Sequence, residues 1–268
     1  MARSKFVGGV GVGVVMAGIA LAMSGGGAVG QAQVPAEPSE VLSVAIAQVK
    51  PAAWSQFIDM QRDETVPMLR KAGMTWRMVW ASGAFAEGFT AVSVTPVPKM
   101  AQYDQPGPAI RALGEERARA FTEKAREMVS EVRTSMIRTR PDLSFRTAPD
   151  ATPKLAVVAT ISVVPGRTAD FEAVIKSDVI PAMKKAGVQT YSVSQTVLGG
   201  NVNEYTTLTY LDNYAAMDQP WGLEKALGQE GMLALGKKFS GIIEHHERMV
   251  VRFMPELSFQ AGAPQGSR

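Results

Sequence analysis

Val66-Pro67-Met68-Leu69-Arg70-Lys71-Ala72-Gly73 returns 114 residues later as Ile180-Pro181-Ala182-Met183-Lys184-Lys185-Ala186-Gly187. The correspondence extends without a gap, so that residues 41–145 map onto residues 155–259. Asp104-Gln105-Pro106 becomes Asp218-Gln219-Pro220, and Pro141-Asp142-Leu143-Ser144-Phe145 becomes Pro255-Glu256-Leu257-Ser258-Phe259. Twenty-six of the 105 aligned positions are identical. With so constant a register, the chain reads as two copies of one unit. Positions shared by both copies serve the fold, and divergent ones are where a site is to be sought.

Each copy has the order strand, helix, strand, strand, helix, strand. Leu42–Val49 and Leu155–Val164 are β-rich and end at Pro51 and Pro165. The helices that follow are closed by Gly73 and Gly187 in C-cap positions. Pro67 and Pro181 remove a backbone donor inside these helices, which predicts a distortion at the same place in both. Second and third strands are expected at Thr75–Ser82 and Phe89–Thr95, and at Gln189–Leu198 and Glu204–Leu211. Long helices over 108–132 and 223–247 precede short final strands at Ser135–Arg140 and Met249–Met254. This βαββαβ order predicts an α+β chain of two tandem ferredoxin-like repeats. Each has an antiparallel sheet with helices on one face, and the two sheets pack against each other on the other.

The signatures Phe57…Val66–Gly73 and Phe171…Ile180–Gly187, with the long second helix and short last strand, resemble the dimeric α/β-barrel superfamily, and within it the NIPSNAP-like proteins. The resemblance covers both repeats and implies an intrachain dimeric α/β barrel. The superfamily includes cofactor-free monooxygenases, haem-binding enzymes and many members without known chemistry. Function has to be argued from the site.

The expected boundaries are a signal peptide (1–32), an extended leader (33–40), repeat one (41–146), a linker (147–154), repeat two (155–260) and a polar tail (261–268). Arg3 and Lys5, the apolar run Phe6–Met23 and the small residues after it make the three-part pattern of a secretory signal. Five glycines between Gly8 and Gly18 dilute the run, which favours cleavage over a retained membrane anchor. A secreted or periplasmic protein with no membrane association after cleavage is the expectation. Outside this segment 26 basic residues face 25 acidic ones, which argues against a nucleic-acid partner. There is no cysteine, and this excludes thiol catalysis and Cys-ligated metals.

Two features invite chemistry. Trp76, Met78 and Trp80 alternate on one strand face, where the second copy has Thr190, Ser192 and Ser194. The opposite face shares Val79 and Val193, so it should meet the helices and leave the Trp-Met-Trp face looking into the space between the sheets. These six residues read either as core or as an apolar pocket with hydroxyl groups. His245 and His246 are the only histidines, and His246 falls on an apolar helical stripe at a position that is Val132 in copy one. It reads either as a packed, buried histidine, with His245 exposed, or as a catalytic residue; the superfamily resemblance adds that a helical histidine can ligate haem iron. A two-His metal site is not expected, because adjacent helical residues point about 100° apart and cannot readily hold one metal. The leading expectation is an exported barrel that binds a small apolar or aromatic ligand, with no metal and no required cofactor. The alternatives are a cofactor-free monooxygenase or a haem enzyme using His246, and a protein-interaction module capable of self-association.

Overall fold

The first strand, β1 (Val41–Val49), pairs with two others, and the ring that grows from it decides the architecture. In the computed structural model, residues 39–147 and 153–260 are described. The expected signal peptide, most of the leader, the middle of the linker and the polar tail lie outside the described residues.

Repeat one continues with α1 (Trp54–Met60), α2 (Val66–Lys71), β2 (Trp76–Ser82), β3 (Thr90–Pro96), α3 (Pro108–Leu113), α4 (Glu115–Met128), β4 (Val129–Thr139) and the short β5 (Phe145–Arg146). Repeat two follows with β6 (Leu155–Val163), α5 (Thr168–Val174), α6 (Ile180–Lys185), β7 (Thr190–Leu198), β8 (Glu204–Leu211), α7 (Gly222–Phe239), β9 (Ile243–Phe253) and the short β10 (Phe259–Gln260). The strands pair antiparallel in the order β2-β3-β1-β4-β7-β8-β6-β9, and β9 pairs back onto β2. The result is a closed antiparallel barrel with helices outside, which leaves no long free edge. The sheets therefore meet edge to edge around one interior and do not stack as separate layers.

The seams repeat the sequence offset. Trp80↔Phe253, Ala81↔Arg252 and Ser82↔Val251 join β2 to β9; Ser194↔Thr139, Gln195↔Arg138 and Thr196↔Ile137 join β7 to β4. Each pair in the second set lies 114 residues from its counterpart in the first. Because every pairing is antiparallel, β1, β2, β6 and β7 run in one direction and the other four in the reverse. Corresponding strands of the two copies thus run in the same direction, and the two rims differ. One rim carries the ends of β1, β2, β6 and β7.

The prolines act as expected. A π-helical turn replaces α-helix at residues Gln61–Thr65 and again at Ile175–Val179, immediately before Val66-Pro67 and Ile180-Pro181. Widening the turn accommodates the missing donor and the ring. In repeat one this turn presents Gln61 to the buried Arg77, whose guanidinium donates to Gln61 Oε1 (2.7 Å) and Ser93 Oγ (2.9 Å). Burial lowers the pKa of Arg77 to about 10.

The second helices are a correction. They end at Met128 and Phe239, and the final strands start at Val129 and Ile243, not at Ser135 and Met249. The first halves of these strands stand at the rim, where Glu131–Arg133 and Glu244–Arg248 are solvent-exposed. Without a buried face they show no apolar alternation, and their apolar residues mimicked helical spacing. Backbone pairing to β1 and β6 holds them extended.

The two copies also cover the joints next to their seams differently. Following β4, Arg140 pairs with Asp142 (2.9 Å) and with Glu172 of α5; Tyr205 donates to Glu172 (2.7 Å), and Lys176 pairs with Asp142 (2.9 Å). At the equivalent joint after β9, Met254 and Leu257 pack with Val79, Ala81, Trp54 and Ile58. One joint is an ionic network, the other an apolar cluster.

Candidate functional site: the barrel interior

Register alone assembles the interior. In repeat one, Met78, Val94, Val44 and Ser135 lie side by side across four strands; the matching row in repeat two is Ser192, Leu208, Val158 and Met249. One step towards the rim, Trp80, Val92, Ile46 and Arg133 face Ser194, Thr206, Thr160 and Glu247. Side chains alternate across a strand, so each row projects to one face. Most of these residues line one cavity of about 690 Å³, the size of sites that hold small organic ligands.

Of the residues singled out from sequence, Trp76, Met78, Trp80, Ser192 and Ser194 are brought together in this wall. Thr190 is not. It lies next to β5, is 3% exposed, and its hydroxyl has no partner. Trp80 is buried, with Phe253 and Tyr210 rings at 5.1 and 6.0 Å, and packs with Ala156 and Val251. Val79 and Val193 point the other way, towards the helices, as their identity implies.

His246 is a second correction. It lies on strand β9, not on a helix, and is exposed. Its strand partner Ile161 packs among the helix-facing residues, so His246 looks outward. Partial desolvation, with Arg248 and His245 nearby, lowers its pKa. His245 points to the inner side of the rim, where its Nε2 lies 3.6 Å from Glu247 Oε2. The residues present do not fit a haem held by His246, because no histidine is part of the cavity wall among the described residues. His246→Val installs the copy-one residue at an exposed site. It should change unfolding free energy by no more than about 0.5 kcal/mol, measured by urea denaturation.

Sequence reasoning missed the polar half of the wall. Ser162 is the shared partner of Glu204 on β8 and His245 on β9; the same register in repeat one joins Thr90, Gln48 and Glu131. Glu204 lines the cavity, half-buried. Burial raises its pKa, Glu247 adds to the shift, and a hydrogen bond from Thr196 and the nearness of His245 oppose it. Tyr210, also in the wall, has its phenol pKa raised by burial. The signal was available: Glu204, Thr206 and Thr160 align with Thr90, Val92 and Ile46.

No protein-family model matches the chain, and no curated protein matches its sequence. Solved structures do. A candidate monooxygenase from Lactobacillus acidophilus NCFM superposes with a TM-score of 0.54 and 11% identity, over 85% of this chain and 99% of its own. A candidate monooxygenase from Fusobacterium nucleatum subsp. nucleatum gives 0.53 at 12% identity, over 80% and 91%. An anthrone oxidase-like protein gives 0.53 at 11% identity, over 86% and 97%. The shared feature is the fold, a closed antiparallel β-barrel with helices outside. At these identities the likeness carries the architecture and not the chemistry.

Proposed function

We propose that the chain binds a small apolar or aromatic molecule inside its barrel. The observation that carries this reading is the cavity itself. Repeat one supplies an aromatic and aliphatic wall, repeat two supplies hydroxyls and one carboxylate, and the space is of ligand size. Ile46 in the wall pairs with Arg133, which is exposed at the rim, so the wall extends to the barrel mouth. In this reading the two copies are ferredoxin-like, NIPSNAP-like units in tandem, and the N-terminal segment directs the protein to the periplasm or the exterior. Titration calorimetry with 2-(1-naphthyl)ethanol, a neutral bicyclic probe, tests it. One site per chain is expected, together with a rise in Tm on saturation. No heat and no thermal shift at millimolar probe would count against it.

A second reading is cofactor-free oxygenation. It is favoured by the fold shared with the candidate monooxygenases and the anthrone oxidase-like protein. In that case Glu204, whose raised pKa suits proton transfer, accepts a proton from an acidic C–H or phenolic O–H of the bound substrate. Oxygen uptake on addition of anthrone, lost in Glu204→Gln, is the outcome this reading requires.

A further inference from the structure

The cavity wall is uneven in charge as well as in polarity. Among the described residues it contains two carboxylates, Glu40 and Glu204, and no lysine, arginine or histidine. Glu40 is exposed at the far rim, where its backbone N–H donates to Thr139 Oγ1 (2.7 Å). Glu204 is set inward beside Thr196, among the hydroxyls of Ser194, Thr206 and Thr160.

The fold does not need this charge. The equivalent position in repeat one is Thr90, whose hydroxyl is consumed locally, donating to Gln48 Oε1 (2.7 Å) and lying 3.0 Å from Glu87 O. Glu204 forms no ion pair among the described residues. The nearby His245 is turned to Glu247 at the rim. A half-buried carboxylate without a cation is costly to maintain and is relieved by one.

We propose that Glu204 anchors the charged end of the ligand, and that the cavity selects an apolar or aromatic body carrying a protonated amine. This inference rests on the reading of the barrel interior as a ligand site. Three features of the wall agree. An ammonium group can donate to the Glu204 carboxylate in a charge-assisted hydrogen bond and to the surrounding hydroxyls. Trp76, Trp80 and Tyr210 line the wall away from Glu204, with Tyr210 six residues along β8, and suit the apolar or aromatic body of the same ligand. An anionic head group would meet carboxylates and find no basic side chain in the wall. Removing the strain on Glu204 is a further contribution, because burial and Glu247 already work against its ionised form.

Three matched probes test the inference: 2-(1-naphthyl)ethylamine, 2-(1-naphthyl)ethanol and 1-naphthylacetate, titrated calorimetrically at pH 7.5. The amine is expected to bind about tenfold or more tightly than the alcohol, and the acetate more weakly than either. In Glu204→Gln the amine should fall to within about threefold of the alcohol measured on the same variant, so the amine preference collapses. Glu204→Thr, which installs the residue found at this position in repeat one, should behave alike and controls for folding. Equal binding of amine and acetate, or an amine preference that survives both substitutions, would overturn the proposal. Alcohol binding without an amine preference overturns this inference alone. Failure of all three probes to bind overturns the cavity reading along with it.

Discussion

Phe171→Ala is expected to lower the unfolding free energy by about 3–5 kcal/mol. Phe171 is fully buried and lies at the centre of the packing between the helices and repeat two. Its ring is 4.8 Å from that of Tyr205 and 5.9 Å from that of Phe239. Alanine would leave a cavity bounded by the barrel wall on one side and α7 on the other, and neither can easily move in. The identical residue of repeat one, Phe57, is packed by Trp54, Met60 and Ala91 in a smaller cluster. Ala91 stands where repeat two has Tyr205, so Phe57→Ala should cost less than Phe171→Ala. Urea denaturation of the two variants measures both losses. Equal losses, or a loss below about 1.5 kcal/mol at Phe171, would show that the packing of repeat two is not the tighter.

Arg140→Ala is expected to cost about 2 kcal/mol near neutral pH, and the cost should shrink in acid. Arg140 joins Asp142, 43% exposed, to Glu172, 22% exposed, and the exposed partner is partly screened by water. Both carboxylates have their pKa lowered in the fold, with the hydrogen bond from Arg140 the largest cause. A carboxylate with a depressed folded-state pKa contributes stability at pH values above its unfolded pKa. That contribution disappears as pH falls through the folded value. Wild type and Arg140→Ala should therefore differ most above about pH 5, and the difference should shrink progressively below about pH 4, where carboxylates of the unfolded chain take up protons first. Denaturation series at pH 7, 5 and 3 measure the trend. A difference independent of pH would mean that Arg140 contributes through packing alone.

Much of this architecture was legible in the sequence because the repeat comparison separates fold from divergence. The identical valines Val79 and Val193 fixed which face of each second strand meets the helices, and so turned Trp76, Met78 and Trp80 inward. The paired prolines announced the distorted turns at Gln61–Thr65 and Ile175–Val179. The rim was not legible. Strands β4 and β9 project beyond the core, and their exposed charged residues carry no alternation, so the apolar spacing around His246 imitates a continuing helix. Gly241, at φ 69°, and Ser240 mark the true end of that helix. Glu204 escaped notice for a different reason. An isolated glutamate at the start of a strand looks like a solvated terminus until closure of the barrel places it beside Ser162, Thr196 and His245.

The ligand is expected to sit inside the barrel, against the face where the two repeats diverge. Ser194→Trp tests this most directly. It copies into repeat two the residue that repeat one carries as Trp80, and it fills part of the cavity without touching the helix-facing core. The variant should fold, with cooperative thermal unfolding, and should bind 2-(1-naphthyl)ethanol at least about tenfold more weakly than wild type. A folded Ser194→Trp protein that binds the probe with wild-type affinity would place the site outside the barrel and contradict an interior ligand.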